Sequence, residues 1–128
     1  RRDFFKVRTP HLAVDIKVIE SSDIAKQWKG KTLKAAAVNI SAGGIAIERL
    51  GKELPFTPGD ILALIIHLPN EMVPIEGKVV NIYQLENSEK LRFGIRFIQH
   101  NLDKLSFNKN INCIVKYVMK REREMLPK

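Results

Sequence analysis

Leu91-Arg92-Phe93-Gly94-Ile95-Arg96-Phe97-Ile98 alternates apolar residues with polar or small ones along its whole length. Successive side chains of a strand point to opposite faces, so this octet reads as a strand with one buried side. Just beyond it the period changes. Leu102, Leu105, Ile111, Ile114, Val115 and Val118 recur at three and four, the spacing of an amphipathic helix. Asn101 reads as the N-cap of that helix, Asp103 suits its first turn, and Pro127 marks its stop. A change of period at this point ends a β region and closes it with a helix.

Working back from the octet, the same alternation recurs. Residues 73–83 form a strand with Pro74 near its start, where a missing N–H is tolerated. Residues 60–68, 44–48, 31–40 and 12–19 are further strands. A polar hairpin connection at 84–90 separates the last two. Pro55, Pro58, Gly59 and Asp60 punctuate a loop, and Ser21 to Gly30, with Trp28, reads as another loop containing at most a helical turn. Six short strands and one terminal helix predict an all-β-dominated fold. The architecture is a six-stranded antiparallel β-barrel, with the C-terminal α-helix on an opening or side.

The 128 residues, 45% of them hydrophobic, suffice for one domain with a real core. The expected layout is an arm at 1–10, a barrel at 11–98 and a helix at 101–124. No repeat or low-complexity tract is present. The longest apolar run, Ile61 to Ile66, is too short to span a bilayer, and no signal-peptide pattern occurs. A single cysteine, Cys113, excludes an internal disulfide and suits a reducing compartment, so a cytoplasmic location is expected. Cys113 itself reads as a small buried apolar residue on the helix. The chain starts at Arg1 without a methionine and reads as part of a longer protein.

A net charge of +8 points to an anionic partner. Much of the charge lies at the two ends. Lys116 to Arg123 reads either as a solvated helix end or as a surface for a partner protein or anionic membrane. Nothing resembles a helix-turn-helix, a zinc module or an RNA-recognition strand. His11, His67 and His100 lack metal-ligand spacing, and His67 reads as structural. Asp15, Asp60 and Glu76 form no acid–base pair, and Ser41 has no evident base. No glycine-rich loop ends in GK[ST]. The chain reads as a non-enzyme without metal or cofactor.

Two segments carry chemistry. Asn39-Ile40-Ser41-Ala42-Gly43-Gly44 is a polar turn between apolar runs, and Arg1-Arg2-Asp3-Phe4-Phe5-Lys6 sets cations around two phenylalanines. An arginine can engage O6 and N7 of a guanine together or stack on its ring. The N1–H and N2–H₂ edge needs acceptors, which Asn39 Oδ1 and Ser41 Oγ can supply. A glycine at 44 admits a ligand or backbone closely, or allows positive φ. The local alternative is an Asx-type turn that stabilises only its own backbone.

The two segments together resemble PilZ domains, bacterial receptors for cyclic di-GMP, and in particular the C-terminal domain of flagellar-brake-type proteins. The family's pattern is RxxxR near the start and [D/N]xSxxG some thirty or more residues later. The second motif is complete in Asn39, Ser41 and Gly44. The first matches at Arg2, preceded by Arg1, while its second arginine falls on Lys6. Phe4-Phe5, the Gly-Ile-Arg-Phe of the last strand and the terminal helix also fit.

The resemblance implies that Arg1, Arg2, Lys6, Asn39, Ser41 and Gly44 bind cyclic di-GMP, with Arg8, Gly43 and Arg96 as secondary candidates. Arg1 favours an intercalated dimer of the ligand. The N-terminal arm is expected to fold over the ligand and rearrange a neighbouring domain. Expected partners are an upstream domain and a protein target such as a flagellar-motor or polysaccharide-synthesis component. DNA is not expected, and the membrane only through a partner. Lysine keeps charge but not the bidentate, stacked contact, so Lys6 should weaken binding about tenfold. Arg8, two residues on, shares its strand face. The other readings are a degenerate PilZ-like interaction module without ligand, and a general nucleic-acid-binding barrel stacking bases on Phe4, Phe5, Trp28 or Tyr83.

Overall fold

In a computed structural model of the chain, residues 7–8, 12–20, 30–51, 56–84 and 88–125 are described. The elements run β1 (Val7–Arg8), β2 (Ala13–Glu20), β3 (Thr32–Ile40), β4 (Gly44–Leu50), β5 (Ile61–His67), β6 (Met72–Gln84), β7 (Lys90–Ile98) and α1 (Lys104–Met125). The six strands read from alternation are all present. The loop at 21–29, the Pro127 stop, most of the arm and residues 85–87 of the 84–90 connection lie outside the described residues.

Every pairing is antiparallel, in the order β3-β2-β5-β6-β7-β4, and β4 pairs back onto β3. That last pairing closes six strands into a barrel and removes the exposed edges of an open sheet. Within the stretch read as an arm, β1 adds to β3 beyond the end of β2: Val7 faces Ile40 and Arg8 faces Asn39.

Alternation delivers the inward side chains. Ile16, Ile40, Ile47, Leu64 and Ile66 are fully buried, and Phe56 packs on Phe93 with ring centroids 4.6 Å apart at 59°. Pairing with β7 begins only at Glu76, so Pro74 sits where β6 has a single neighbour, β5. On the outer face Asp15 of β2 joins Lys34 of β3 (2.7 Å) and His67 of β5 (2.9 Å). Those two hydrogen bonds, Lys34 first, hold its carboxyl below the usual range. His67 is thus a cross-strand tie, the structural part its sequence position suggested.

The helix starts later than Asn101. Asp103 is its cap: its Oδ2 accepts the Ser106 N–H at 3.2 Å. Bonds from Ser106 hold the Asp103 carboxyl below its usual range. The amides of Asn101 and Leu102 instead donate to Glu76 Oε1 at 2.6 and 3.1 Å, so a buried β6 carboxylate fixes the turn into the helix.

The helix's buried stripe also differs from the one first read. Ile114, Tyr117 and Val118 enter the core with Phe107 and Ile111 beside them, while Leu105 is 81% exposed. At about 100° per residue Leu105 lies roughly 200° from Phe107, on the far side. Cys113 is only half-buried; its Sγ faces Glu71 Oε1 at 3.5 Å, and burial and that carboxylate push the thiol pKa up. No described helix is long and apolar enough to cross a membrane.

Candidate functional site

Asn39 ends up outside the barrel because β3 carries a one-residue bulge. Ala37 pairs with Ile47 and Asn39 with Ala46, leaving Val38 extra. Ala37 and Ile40 both point inward. Strict alternation from Ala37 would turn Asn39 into the core; the bulge re-aims it outward. Asn39 is half-buried there, and its amide has no hydrogen-bond partner among the described residues.

Ser41 to Gly44 is a tight hairpin, not an Asx turn at Asn39. The Ser41 N–H donates to the Gly44 carbonyl at 2.9 Å, and the Gly43 N–H donates to Ser41 Oγ at 3.2 Å. The Ser41 hydroxyl lies 3.4 Å from the same Gly44 carbonyl, and the residue is buried. Ser41 therefore shapes the turn, with one lone pair of Oγ left over. The Gly43 carbonyl accepts from Phe97 N–H at 3.0 Å, tying the hairpin to β7. Gly44 is not among the positive-φ glycines. It is required for space, since a Cβ at 44 would strike the Ile95 carbonyl oxygen.

Asn39, Ser41, Gly43, Gly44 and the backbone of Arg8 thus form one corner, where β1 meets β3 and β3 turns into β4. Arg96 joins it, facing Gly44 across the β4–β7 ladder, exposed and without an ion pair among the described residues. Arg1, Arg2 and Lys6 lie outside the described residues. The two residues that follow Lys6 are described: in β1, Val7 faces Ile40 and Arg8 faces Asn39.

The register also brings in residues that the motifs did not point to. Across from Arg96 on β6 is Lys78, and beyond Asn39 the next positions are Ala46, Gly94 and Asn81. The surface lies on the outer wall of the barrel. A cavity of about 260 Å³ lies between the Leu68–Glu71 turn and α1, and a shallower one of about 600 Å³ between the far ends of β3 and β4; neither is lined by Asn39, Ser41 or Gly44. Among the described residues no cluster of His, Cys, Asp or Glu could hold a metal ion.

The described residues form a closed six-stranded barrel with a C-terminal helix and an Asn-x-Ser-x-x-Gly hairpin on its wall. The chain belongs to the PilZ domain family, whose profile matches residues 1–118. Among solved structures it is similar to the motility inhibitor MotI/DgrA of Bacillus subtilis, at 24% identity and a TM-score of 0.75, covering 98% of this chain and 53% of that one. The PilZ domain of YcgR from Escherichia coli, solved with c-di-GMP, is 16% identical with a TM-score of 0.70, covering 97% and 93%. MrkH of K. pneumonia in its apo state is 20% identical with a TM-score of 0.66, covering 98% and 55%. The chain thus spans about half the length of MotI/DgrA and of MrkH. At these identities the likeness is one of fold. No curated protein matches the chain.

Proposed function

We propose that this domain is a cyclic di-GMP receptor whose ligand lies on the outer wall at the β1–β3–β4 corner. The observation that carries the reading is the pairing of Arg8 with Asn39, which sets β1, the residues next in sequence after Arg1, Arg2 and Lys6, beside the complete Asn39–Ser41–Gly44 motif. An open wall gives a small anion little enclosure, so an arm with three cations supplies the other side. Arg1 and Arg2 are suited to guanine edges and stacking, Lys6 to a phosphate, and Asn39 to the donor edge of a base. Arg96, exposed and without an ion pair among the described residues, is suited to take a second phosphate. YcgR and MrkH have both been solved with c-di-GMP, which supports the same ligand here.

Binding orders the arm and so alters whatever precedes it in a longer chain, the output expected of a receptor in motility, biofilm or polysaccharide control. A cytoplasmic location and a protein target belong to the same reading. Arg2→Ala and Asn39→Ala, titrated calorimetrically with cyclic di-GMP, should each remove most of the affinity of the parent domain. Two variants that bind like the parent would place the ligand elsewhere.

A further inference from the structure

The tripeptide Val-Asn-Ile occurs twice in the chain, as Val38-Asn39-Ile40 and Val80-Asn81-Ile82. Each copy carries a bulge. In β6, Val79 pairs with Ile95 and Asn81 with Gly94, leaving Val80 extra, as Val38 is extra in β3. Val79 is buried and pairs with the inward Ile95, while Ile82 pairs with the inward Phe93. The bulge therefore throws Asn81 outward as its counterpart throws Asn39 outward.

The two bulges flank the β4–β7 pair and put both asparagines in one row. Asn39 faces Ala46, Ala46 faces Gly94, and Gly94 faces Asn81. With strands about 4.8 Å apart, the ends of the row are roughly 14 Å apart. Between them lie the two smallest side chains available, a methyl group and a hydrogen. The result is a flat strip bracketed by two amides. Asn81 leans over Gly94, where a Cβ would collide with the Asn81 amide oxygen, so the open part of the strip is over Ala46, between the two amides. Asn81 is exposed, and its amide has no hydrogen-bond partner among the described residues. In the neighbouring row Arg96 faces Lys78, and neither forms an ion pair among the described residues.

We infer that Asn81 is a ligand-binding residue, its amide over Gly94 forming the far wall of a purine platform floored by Ala46. The inference rests on the cyclic di-GMP reading above and extends it by two strands. A ring laid flat on the strip meets Asn39 on one edge and Asn81 on the other. An amide offers one acceptor and two donors, a match for the mixed edge of a purine. Lys78 and Arg96 stand beside the strip, where the phosphates of a dinucleotide would run.

The test compares the parent domain, Asn39→Ala and Asn81→Ala, each titrated with cyclic di-GMP and followed by ¹⁵N NMR. Asn81 holds no other described side chain, so its variant keeps the fold. Asn81→Ala should weaken binding about tenfold, a typical loss for one base-edge contact. In the parent, the Asn81 side-chain NH₂ resonances, assigned by their loss in the variant, should move on ligand addition. If Asn39→Ala loses affinity while Asn81→Ala binds like the parent and its NH₂ signals stay put, the inference is wrong and the receptor reading stands. If the parent does not bind, both fall.

Discussion

Gly44 and Ser41 hold the candidate site together for different reasons. Gly44 is pressed against the Ile95 carbonyl, so Gly44→Ala must push the hairpin off β7. The expected cost is about 1–3 kcal/mol, the range for overpacking a close contact. Urea unfolding should show the loss, and ligand binding should fall with it. A variant as stable as the parent would mean the hairpin yields freely. Close approach of backbone was one of the causes read for glycine at 44, while positive φ was the other; which strand comes close was not legible, because it depends on the β4–β7 register. Ser41 was read as a ligand acceptor, and its burial inside the turn adds a structural duty that only coordinates could reveal. Asn81 was passed over because its strand was read as plain alternation, and a bulge breaks alternation without any strong residue signal.

At the scale of elements, strands were readable wherever an inward apolar residue recurs at every second position. The helix was readable from its period, but its start was not. Asn101 and Asp103 are both good caps, and the choice between them was made by Glu76, a residue of β6 whose carboxylate takes the two amides before the helix. No pattern within residues 100–106 contains that information. Glu76→Ala leaves both amides without their acceptor and should destabilise the domain by about 1.5–3 kcal/mol, the worth of bonds to a charged group. Glu76→Gln, which keeps one acceptor, should recover much of that. Denaturant melts of the two variants check the order; equal stabilities would show that the turn is held by other contacts. Leu105 was miscounted for a related reason, since a short run of threes and fours fits more than one stripe until Ile114 and Tyr117 fix which face meets the barrel.

For the whole molecule, the barrel class followed from six alternating strands and a terminal helix, while closure through β3 and β4 and the added strand β1 came from long-range pairing. Those two features make the proposed site. Closure lines β3, β4, β7 and β6 side by side into one wall, and β1, the two residues that follow the N-terminal cations in sequence, pairs with β3 at its edge. The +8 charge was legible from composition, and its use depends on where the chain's ends meet the barrel. The central claim is that this wall and its arm bind cyclic di-GMP, weakened by lysine at position 6. Calorimetric titration of the domain with cyclic di-GMP tests it most directly, alongside Lys6→Arg. Saturable binding that tightens about tenfold in Lys6→Arg is the expected result; no heat from either protein at high micromolar ligand would contradict it.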